Sequence, residues 1–192
     1  MTFTALLLTG GLSTRMGTDK ALVRVKGEPL WRRQIRILRE LQPDHLVVSA
    51  RTKPRWLPLD VAFAADTPPS KGPLSGLVAA LERLQTSHLL ALAIDLPNMT
   101  TAYLRELLSI AGERHGVAPT RGDYVEPLCA IYHRDAFPCA QDSLAAGRFS
   151  LQELATILHG KGLMEFVTII PDEEHLFLNA NTPTDLDTQT SA

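Results

Sequence analysis

The segment Leu8-Thr9-Gly10-Gly11-Leu12-Ser13-Thr14-Arg15-Met16-Gly17-Thr18-Asp19-Lys20 follows directly on the short apolar run Ala5–Leu8. A short apolar run that ends in a glycine-rich segment is typical of a buried strand leading into a loop. Because glycine has no Cβ, successive backbone N–H groups can turn toward an anion. Arg15 and Lys20 add two positive charges, and a guanidinium can contact two phosphate oxygens at once. The segment therefore predicts a strand followed by a triphosphate-binding loop.

Two common phosphate-binding loops do not match this segment. A P-loop requires lysine and then serine or threonine after its last glycine, whereas Gly17 is followed by Thr18-Asp19-Lys20. The dinucleotide fingerprint requires a second glycine two positions after the first, and Ser13 stands there when counting starts from Gly11. A plain glycine-rich turn is the alternative interpretation, and it is weakened by the two cations and Ser13 in the same loop.

Short apolar runs alternate with helical periods along the rest of the chain. After the first strand, further strands are expected at Leu46–Val48, Val61–Ala65, His88–Ile94, Val117–Pro119, Leu128–Tyr132, Phe166–Ile170 and Leu176–Leu178. Helices are expected at Glu28–Leu41, from Pro73 onward, around Leu104–Ala111, at Asp135–Ala145 and at Leu151–Leu158. This alternation predicts one domain over residues 1–192, a three-layer α/β/α sandwich with a mostly parallel central sheet.

Composition narrows the class of protein. The chain has 192 residues and a net charge of -2, which argues against a general nucleic-acid or membrane-surface binder, because such proteins need a basic footprint. The two cysteines do not form a disulfide framework, and Cys129 lies in an apolar run that predicts a buried, inert thiol. The six histidines show no metal-binding spacing. No stretch is apolar for long enough to span a bilayer, and a cytoplasmic protein is expected.

Asp95 is the candidate metal ligand, because it follows the apolar run Leu89–Ile94. Ligands of parallel α/β sheets bind at the carboxyl ends of the strands, so this carboxylate is expected beside the phosphate loop. Magnesium commonly takes one or two protein carboxylates and completes its shell with phosphate and water. The alternative is that Asp95 caps a helix beginning after Pro97.

The glycine-rich segment resembles the signature of the molybdenum cofactor guanylyltransferases, which belong to the larger nucleotidyltransferase superfamily. About ten positions match rather than three glycines alone. The resemblance extends along essentially the whole chain, in order and approximate spacing, through Gly27–Leu30, Asp66, Gly72–Gly76, Asp95–Pro97, Glu126–Leu128 and Asn179–Pro183. It implies a Rossmann-like nucleotidyltransferase fold.

The resemblance also implies a role for each matched residue. Nucleotide binding is expected from Leu8, Thr9, Gly10, Gly11, Ser13, Lys20, Ser49, Asp66, Gly72, Pro73 and Asp95. Asp66 and the segment from Gly72 would meet the base and ribose. Arg15, Lys20 and Asp95 would act in catalysis, with Mg²⁺ on Asp95. The acceptor side is expected to include Arg148, Asn179 and Asn181, although a solvent-facing arginine and a helix-start turn are the respective alternatives.

Two positions depart from the family pattern. Thr9 stands where alanine is usual in many relatives, and one added hydroxyl should be tolerated. Relatives often have an asparagine where Val48-Ser49-Ala50-Arg51 stands here, so either Ser49 takes over that contact or the contact is missing. The second departure affects the details of base binding rather than the class of ligand.

The resemblance implies that the enzyme transfers GMP from GTP to molybdopterin and releases pyrophosphate, with molybdenum-insertion or molybdoenzyme-maturation proteins as partners. Guanine is favoured because the paired Gly10-Gly11 resembles the guanylyl branch, whereas cytidylyl relatives tend to have alanine at the first glycine. A CTP-dependent cytidylyltransferase for the same pterin is the nearest alternative, followed by a sugar-1-phosphate nucleotidyltransferase. A non-catalytic GTP-binding module is the alternative from another class, and it is disfavoured because both Lys20 and Asp95 are present.

Overall fold

A central β-sheet organises the part of the chain that the computed structural model describes, namely residues 1–9, 20–66 and 71–179. The strands are β1 (Phe3–Leu8), β2 (Arg24–Val25), β3 (Glu28–Pro29), β4 (His45–Ala50), β5 (Ala62–Ala65), β6 (His88–Ala93), β7 (Gly116–Arg121), β8 (Tyr124–Val125), β9 (Cys129–His133) and β10 (Met164–Thr168). The helices are α1 (Leu30–Arg39), α2 (Pro73–Glu82), α3 (Thr101–Ile110), α4 (Phe137–Ala145) and α5 (Leu151–Gly160).

The sheet has the strand order β10-β7-β9-β6-β1-β4-β5, with β8 paired to β7 and a separate hairpin formed by β2 and β3. The pairs β1–β4, β1–β6, β4–β5 and β7–β10 are parallel. Strand β9 runs antiparallel to both β6 and β7, and the short β8 runs antiparallel to β7, so the sheet is mostly parallel with two reversed strands. The expectation of a mostly parallel sheet is confirmed.

Helices cover both faces of the sheet and create two apolar cores. In β1, Ala5 and Leu7 face the core that includes α1 and α3, whereas Leu6 and Leu8 face the core that includes α2, α4 and α5. All six residues of β1 are buried, as expected for a strand with helices on both sides. The three-layer α/β/α arrangement is therefore present. Within the described ranges, no helix is both long and apolar enough to cross a membrane.

The helices begin where local sequence favours a start. Thr100 caps α3 by accepting a hydrogen bond from the backbone N–H of Tyr103 at 3.2 Å, which is the usual N-cap arrangement. The α2 helix begins at Pro73, as predicted, after Gly72 with a φ of 82°. That left-handed backbone conformation favours glycine, and proline suits the first helical position because it needs no hydrogen-bond donor there. Since Thr100 caps α3, the alternative in which Asp95 caps this helix is excluded.

One predicted strand is wrong. Residues Leu176–Leu178 were expected to be extended, but Pro171–Phe177 forms a 3-10 helix. Proline fixes φ near its helical value, and the acidic residues Asp172, Glu173 and Glu174 stand in the first turn, where the helix dipole favours negative charge. The apolar residues Leu176 and Phe177 are still buried, so burial was predicted correctly while the backbone conformation was not.

Both cysteines are free and buried. Cys129 lies in β9 with no exposed surface, and burial raises the pKa of its thiol far above the ordinary value. A thiol that stays protonated is a poor nucleophile. The prediction of a buried, inert Cys129 is therefore confirmed.

Two histidines are buried where β6 begins and β9 ends, and no sequence pattern predicted this pairing. His88 and His133 have ring centroids 5.0 Å apart in an edge-to-face arrangement, and they are 1% and 6% exposed. Burial lowers the pKa of both imidazoles; the charge of His133 adds to this effect for His88, whereas Asp135 opposes it for His133. The neutral forms are therefore the ones that the folded protein accommodates.

We predict that the free energy of unfolding falls as the pH is lowered below about 6.5, the ordinary histidine pKa. Because the folded-state pKa of His88 is lowered, the unfolded chain binds its proton more readily, so stability is retained above that pH and lost below it. Denaturant unfolding of wild type and His88→Gln between pH 5 and 8 measures this, with the exposed His45→Gln as control. A slope unchanged in His88→Gln would contradict the assignment.

Candidate functional site

The site lies where the chain leaves β1, at the point at which the order of the strands in the sheet reverses. Strand β1 has the later strand β4 on one side and β6 on the other, which makes its carboxyl end a topological switch point. The backbone N–H of Thr9 donates to the carbonyl of Ser49 at 3.0 Å, and the N–H of Ile94 donates to the carbonyl of Leu8 at 3.0 Å. These two hydrogen bonds hold the carboxyl ends of three strands together.

Lys20 and Asp95 meet directly above these strand ends. The Nζ of Lys20 lies 3.5 Å from Oδ2 of Asp95, and both side chains are about one-quarter exposed. Lys20 opens a 3-10 helix, Lys20–Leu22, where the described chain resumes after residue 9. The expectation that the end of the glycine-rich segment lies beside Asp95 is confirmed. We call the partly exposed surface around Lys20 and Asp95 the opening. A cation and a carboxylate placed together in this way can contact an anion and a metal ion at the same time.

The loop that carries Asp95 is held from the side by α1. The amide Nε2 of Gln34, a fully buried residue, donates to the carbonyl of Leu96 at 2.7 Å and to that of Ile94 at 3.4 Å. Arg33 donates through Nε to the carbonyl of Pro97 at 2.6 Å, and burial is the main reason that its pKa is lowered. The sequence did not reveal these positioning residues, because a single polar residue in an amphipathic helix gives no sign of its partner.

Glu126 also lies near this site. It belongs to the segment Glu126–Leu128 that matches the family, but no function was predicted for it. The antiparallel register pairs Leu92 with Cys129, and the N–H of Ala93 donates to the carbonyl of Leu128 at 2.7 Å. The chain then turns at residues 127 and 128, where the N–H of Cys129 donates to the carbonyl of Glu126 at 3.1 Å, and Glu126 is near enough to Asp95 for their charges to interact. Partial burial raises the pKa of Glu126, and the charge of Asp95 adds to that effect while Arg121 opposes it. Two carboxylates therefore make the opening attractive to a cation.

Ser49 in β4 and Asp66, directly after β5, form a buried polar pair, which we call the wall. The hydroxyl of Ser49 donates to Oδ1 of Asp66 at 2.7 Å, and the two residues are 1% and 6% exposed. Gly76 in α2 approaches them so closely that a Cβ at this position would lie 2.6 Å from Oγ of Ser49 and 3.1 Å from Oδ1 of Asp66. Ser49 is therefore engaged with Asp66, and Asp66 lies under the first turns of α2, where helix N-termini favour negative charge.

Thr9, the first departure from the family pattern, is accommodated without strain. Its hydroxyl donates to the same carbonyl of Ser49 that accepts its backbone N–H, at 2.9 Å. The added hydroxyl group therefore has a hydrogen-bond partner, the backbone carbonyl of Ser49 in β4. Leu8, also expected near the nucleotide, buries its side chain in the core, so its part in the site is limited to its backbone.

The residues expected on the acceptor side that the structure describes, Arg148 and Asn179, are both exposed. Lys71, just before α2, lies over the ring of Phe149 with Nζ 5.5 Å from the ring centroid, which ties the segment before α5 to the wall at Gly72. Arg148 next to it is exposed and forms an ion pair with Glu153 at 3.2 Å. Its proposed contact with the acceptor stays a prediction.

Asn179 is exposed at the end of the last described segment. Two contacts position that segment: Asn98 donates to the carbonyl of His175 at 3.0 Å, and Phe177 packs edge-to-face on Tyr103. Asn98 is three residues after Asp95, so the segment returns to the loop at the site. The predicted residues Gly10, Gly11, Ser13, Arg15 and Asn181 lie outside the described residues.

Asp95 is the carboxylate at the opening that could hold a metal ion. Among residues 1–9, 20–66 and 71–179, no group of three His, Cys, Asp or Glu side chains is placed to hold one. Magnesium is commonly held by one or two carboxylates plus phosphate oxygens and water, and the partly exposed Asp95 offers such a carboxylate.

A lysine and an aspartate at the switch point of a mostly parallel α/β sheet are typical of nucleotide-binding proteins of the doubly wound class. The sequence then gives the family. The pattern of the MobA-like NTP transferase domain matches residues 5–161, and this chain belongs to that family. The probable molybdenum cofactor guanylyltransferase of Opitutus terrae is 33% identical over 184 residues, covering 94% of this chain and 91% of that protein. The molybdenum cofactor guanylyltransferase of Pseudomonas fluorescens is 31% identical, covering 93% and 88%.

Solved structures share the fold across the same length. The molybdopterin-guanine dinucleotide biosynthesis protein A of Archaeoglobus fulgidus has a TM-score of 0.71 at 23% identity, covering 96% of this chain and 95% of that one. A nucleotidyl transferase of Methanothermobacter has a TM-score of 0.77 at 16% identity, covering 98% and 95%. The nucleotidyltransferase fold predicted from the sequence is thereby confirmed.

We predict that Gly76→Ala destabilises the protein by about 1–3 kcal/mol, because the added methyl group must displace the buried Ser49–Asp66 pair. Gly160→Ala is the matched control, since a Cβ there meets nothing within 4 Å and alanine is the better helix former. Denaturant unfolding compares the two variants. Equal stability of Gly76→Ala and wild type would show that α2 does not approach the wall this closely.

Proposed function

We propose that this protein transfers GMP from GTP to molybdopterin and releases pyrophosphate. The observation that carries the proposal is the meeting of Lys20 and Asp95 at the switch point, within a family named for NTP transfer. The relatives named molybdenum cofactor guanylyltransferase match the chain over nearly its whole length, which supports the particular reaction. Free, buried cysteines agree with the reducing cytoplasm as the place where it acts.

The proposed reaction makes one bond and breaks one. An oxygen of the acceptor's terminal phosphate attacks the α-phosphorus of GTP, and the bond from that phosphorus to the α,β-bridging oxygen breaks. The electron pair of that bond leaves with pyrophosphate. A phosphate monoester is already ionised at neutral pH, so no general base is required. The work of the protein is to position two anions and to stabilise the charge on the leaving group.

Lys20 is the residue best placed to stabilise that leaving group. Its ion pair with Asp95 is long and partly exposed, and ion pairs of this kind contribute little stability. The ammonium group can therefore exchange the carboxylate for phosphate oxygens at small cost. Arg15 would add a second positive charge from the glycine-rich segment.

Asp95 would hold Mg²⁺, and the loop contacts from Gln34 and Arg33 would keep its carboxylate at the opening. A bound magnesium ion supplies charge neutralisation on the phosphate oxygens. Glu126 is not part of the Lys20–Asp95 ion pair, but its charge increases the negative potential around Asp95 and so favours cation binding.

Asp66 and Ser49 would form the base side of the pocket, with Gly72 and Pro73 beside them. Guanine presents an N–H and an amino group on one edge, and a carboxylate accepts hydrogen bonds from both. Cytosine offers no such pair of donors. The buried Asp66 carboxylate, held by the Ser49 hydroxyl, therefore supports guanine over the cytidylyl alternative.

A sugar-1-phosphate acceptor and a non-catalytic GTP-binding module are the other possibilities raised by the sequence. The module needs neither a leaving-group cation nor a metal ligand, yet Lys20 and Asp95 lie together. Pyrophosphate release in the presence of GTP, Mg²⁺ and molybdopterin separates the cases. Tight GTP binding without release would favour the module, and release with a sugar 1-phosphate alone would favour the other acceptor.

We predict that Lys20→Ala lowers kcat by about 10²–10³-fold, the usual loss when one electrostatic donor to the transition state is removed. Pyrophosphate release measures the rate, and circular dichroism checks that the fold is retained. Lys161→Ala, a change at an exposed lysine after α5, should turn over like wild type. Wild-type turnover by Lys20→Ala would refute the role given to this lysine.

We predict that Asp66→Asn lowers kcat/KM for GTP by about 10–100-fold, because an amide offers only one acceptor to guanine's two donors. Inosine triphosphate, which lacks the amino group, tests the contact directly. Wild type should prefer GTP over inosine triphosphate, and Asp66→Asn should lose most of that preference. Asp123→Asn in the β7–β8 turn is the control. Full preference for GTP in Asp66→Asn would rule out base recognition by this carboxylate.

A further inference from the structure

Positive charge is concentrated in one part of the chain, although the whole protein is slightly acidic. Residues 20–60 contain ten of the 19 lysines and arginines but only four of the 21 aspartates and glutamates, a net charge of +6 in a chain of net charge -2. These residues form α1, β4 and the connections around them. The nucleotide site uses Lys20 from this region, and Arg33 holds the Asp95 loop. Most of the remaining cations have no part in that chemistry.

The protein's only two tryptophans lie in the middle of this region. Trp31 in α1 and Trp56 in the connection between β4 and β5 stack with ring centroids 5.3 Å apart and an angle of 16° between the rings. Both are half-buried, so part of each ring faces solvent. Leu59, three residues after Trp56, is fully exposed. A partly exposed aromatic pair with an exposed leucine is the kind of apolar centre that protein interfaces use.

Arginines surround this apolar centre. Arg32, Arg36 and Arg39 project from successive turns of α1, and with Trp31 and Pro58 they line an open groove of about 450 Å³. We call this the Trp31 groove. Gln34 and the buried side of α1 face the Asp95 loop instead, so the groove and the nucleotide site use different sides of one helix.

Two arginines of the Trp31 groove, Arg36 and Arg39, already form ion pairs with carboxylates of this chain. Arg36 pairs with Glu28 at 3.4 Å and with Glu40 at 3.0 Å, and Arg39 pairs with Asp60 at 2.6 Å. Arg32 lines the groove, and Arg55 directly precedes Trp56 in the chain; both are exposed, and among the described residues neither forms an ion pair. The groove therefore already presents guanidinium groups to carboxylates, and two further arginines are available for carboxylates from another molecule.

We propose that the Trp31 groove binds an acidic segment of another protein, with an apolar side chain placed against the tryptophan pair. Carboxylates of the segment would contact Arg32 and Arg55. Tryptophan and arginine are the residues most enriched at the energetic centres of protein interfaces. A nucleic acid fits less well, because its regularly spaced phosphates would also meet Glu28, Glu40 and Asp60, whereas a peptide can place its carboxylates at the arginines alone.

The tryptophan pair provides a direct test, because intrinsic tryptophan fluorescence of the full chain comes only from Trp31 and Trp56. The probe is a synthetic peptide of about twenty residues composed of Glu, Asp and Leu, compared with the same peptide carrying Gln and Asn. We expect the acidic peptide to change the tryptophan emission and to bind at least ten times more tightly than its amide counterpart. Raising the salt concentration from 50 to 300 mM should weaken that binding severalfold.

The double variant Arg32→Glu/Arg55→Glu should weaken binding of the acidic peptide at least tenfold. The matched control is Arg114→Glu/Lys161→Glu, which reverses two exposed cations elsewhere and should bind like wild type. Neither double variant touches the nucleotide site, so pyrophosphate release should be unchanged in both. This separates the docking surface from the proposed reaction, since either can fail while the other holds.

Four outcomes would overturn the proposal. The first is equal binding of the acidic and the amide peptide, and the second is equal loss of binding in the two double variants. The third is tighter binding of single-stranded RNA or of vesicles containing anionic phospholipid than of the acidic peptide. The fourth is a concentration-dependent emission change without peptide, which would assign the groove to a second copy of this chain.

Discussion

The placement of β1 between β4 and β6 is the constraint on which the rest of the site depends. Because β1 is flanked on both sides by parallel strands that come later in the chain, three carboxyl ends meet and the connections that leave them must diverge. The hydrogen bonds from Thr9 to Ser49 and from Ile94 to Leu8 fix that meeting point. Lys20 and Asp95 are brought together at this meeting point although they are far apart in sequence, and Asp66 follows β5, the strand beyond β4 on the same side of the sheet.

The three carboxylates of the proposed site differ in their surroundings, and the proposed roles follow that difference. Asp66 is buried and accepts a hydrogen bond from Ser49, which suits the recognition of a ligand edge that we propose for it. Asp95 is partly exposed beside the ammonium group of Lys20, which suits the proposed binding of a metal ion and phosphates. Glu126 is half-buried, and its charge interacts with that of Asp95. The proposal thus assigns base recognition to the buried carboxylate and phosphate chemistry to the partly exposed one.

The sequence predicted the elements that depend on local signals. The apolar run before the glycines predicted β1, and Pro73 predicted the start of α2, because each signal lies within a few residues of its effect. The position of Asp95 beside Lys20 followed from the rule that parallel strands end at one edge. Leu176–Leu178 was mistaken for a strand, since a few buried apolar residues look the same in a strand and in a 3-10 helix.

Other parts of the site could not be predicted because they depend on pairing between distant residues. Gln34 supports the Asp95 loop only because α1 packs against the sheet beside the residues that follow β6. Glu126 reaches Asp95 only because β9 runs antiparallel to β6, a reversal that the alternating pattern did not reveal. The Ser49–Asp66 contact depends on a glycine in α2 whose close approach appears only in three dimensions.

A crystal structure with a non-hydrolysable GTP analogue and Mn²⁺, with the metal located by its anomalous scattering, tests the central claim most directly. The account predicts a metal peak within about 2.3 Å of a carboxylate oxygen of Asp95, phosphate oxygens contacting Lys20, and the guanine edge beside Asp66. A nucleotide bound at any other edge of the sheet, or a metal peak away from Asp95, would contradict it.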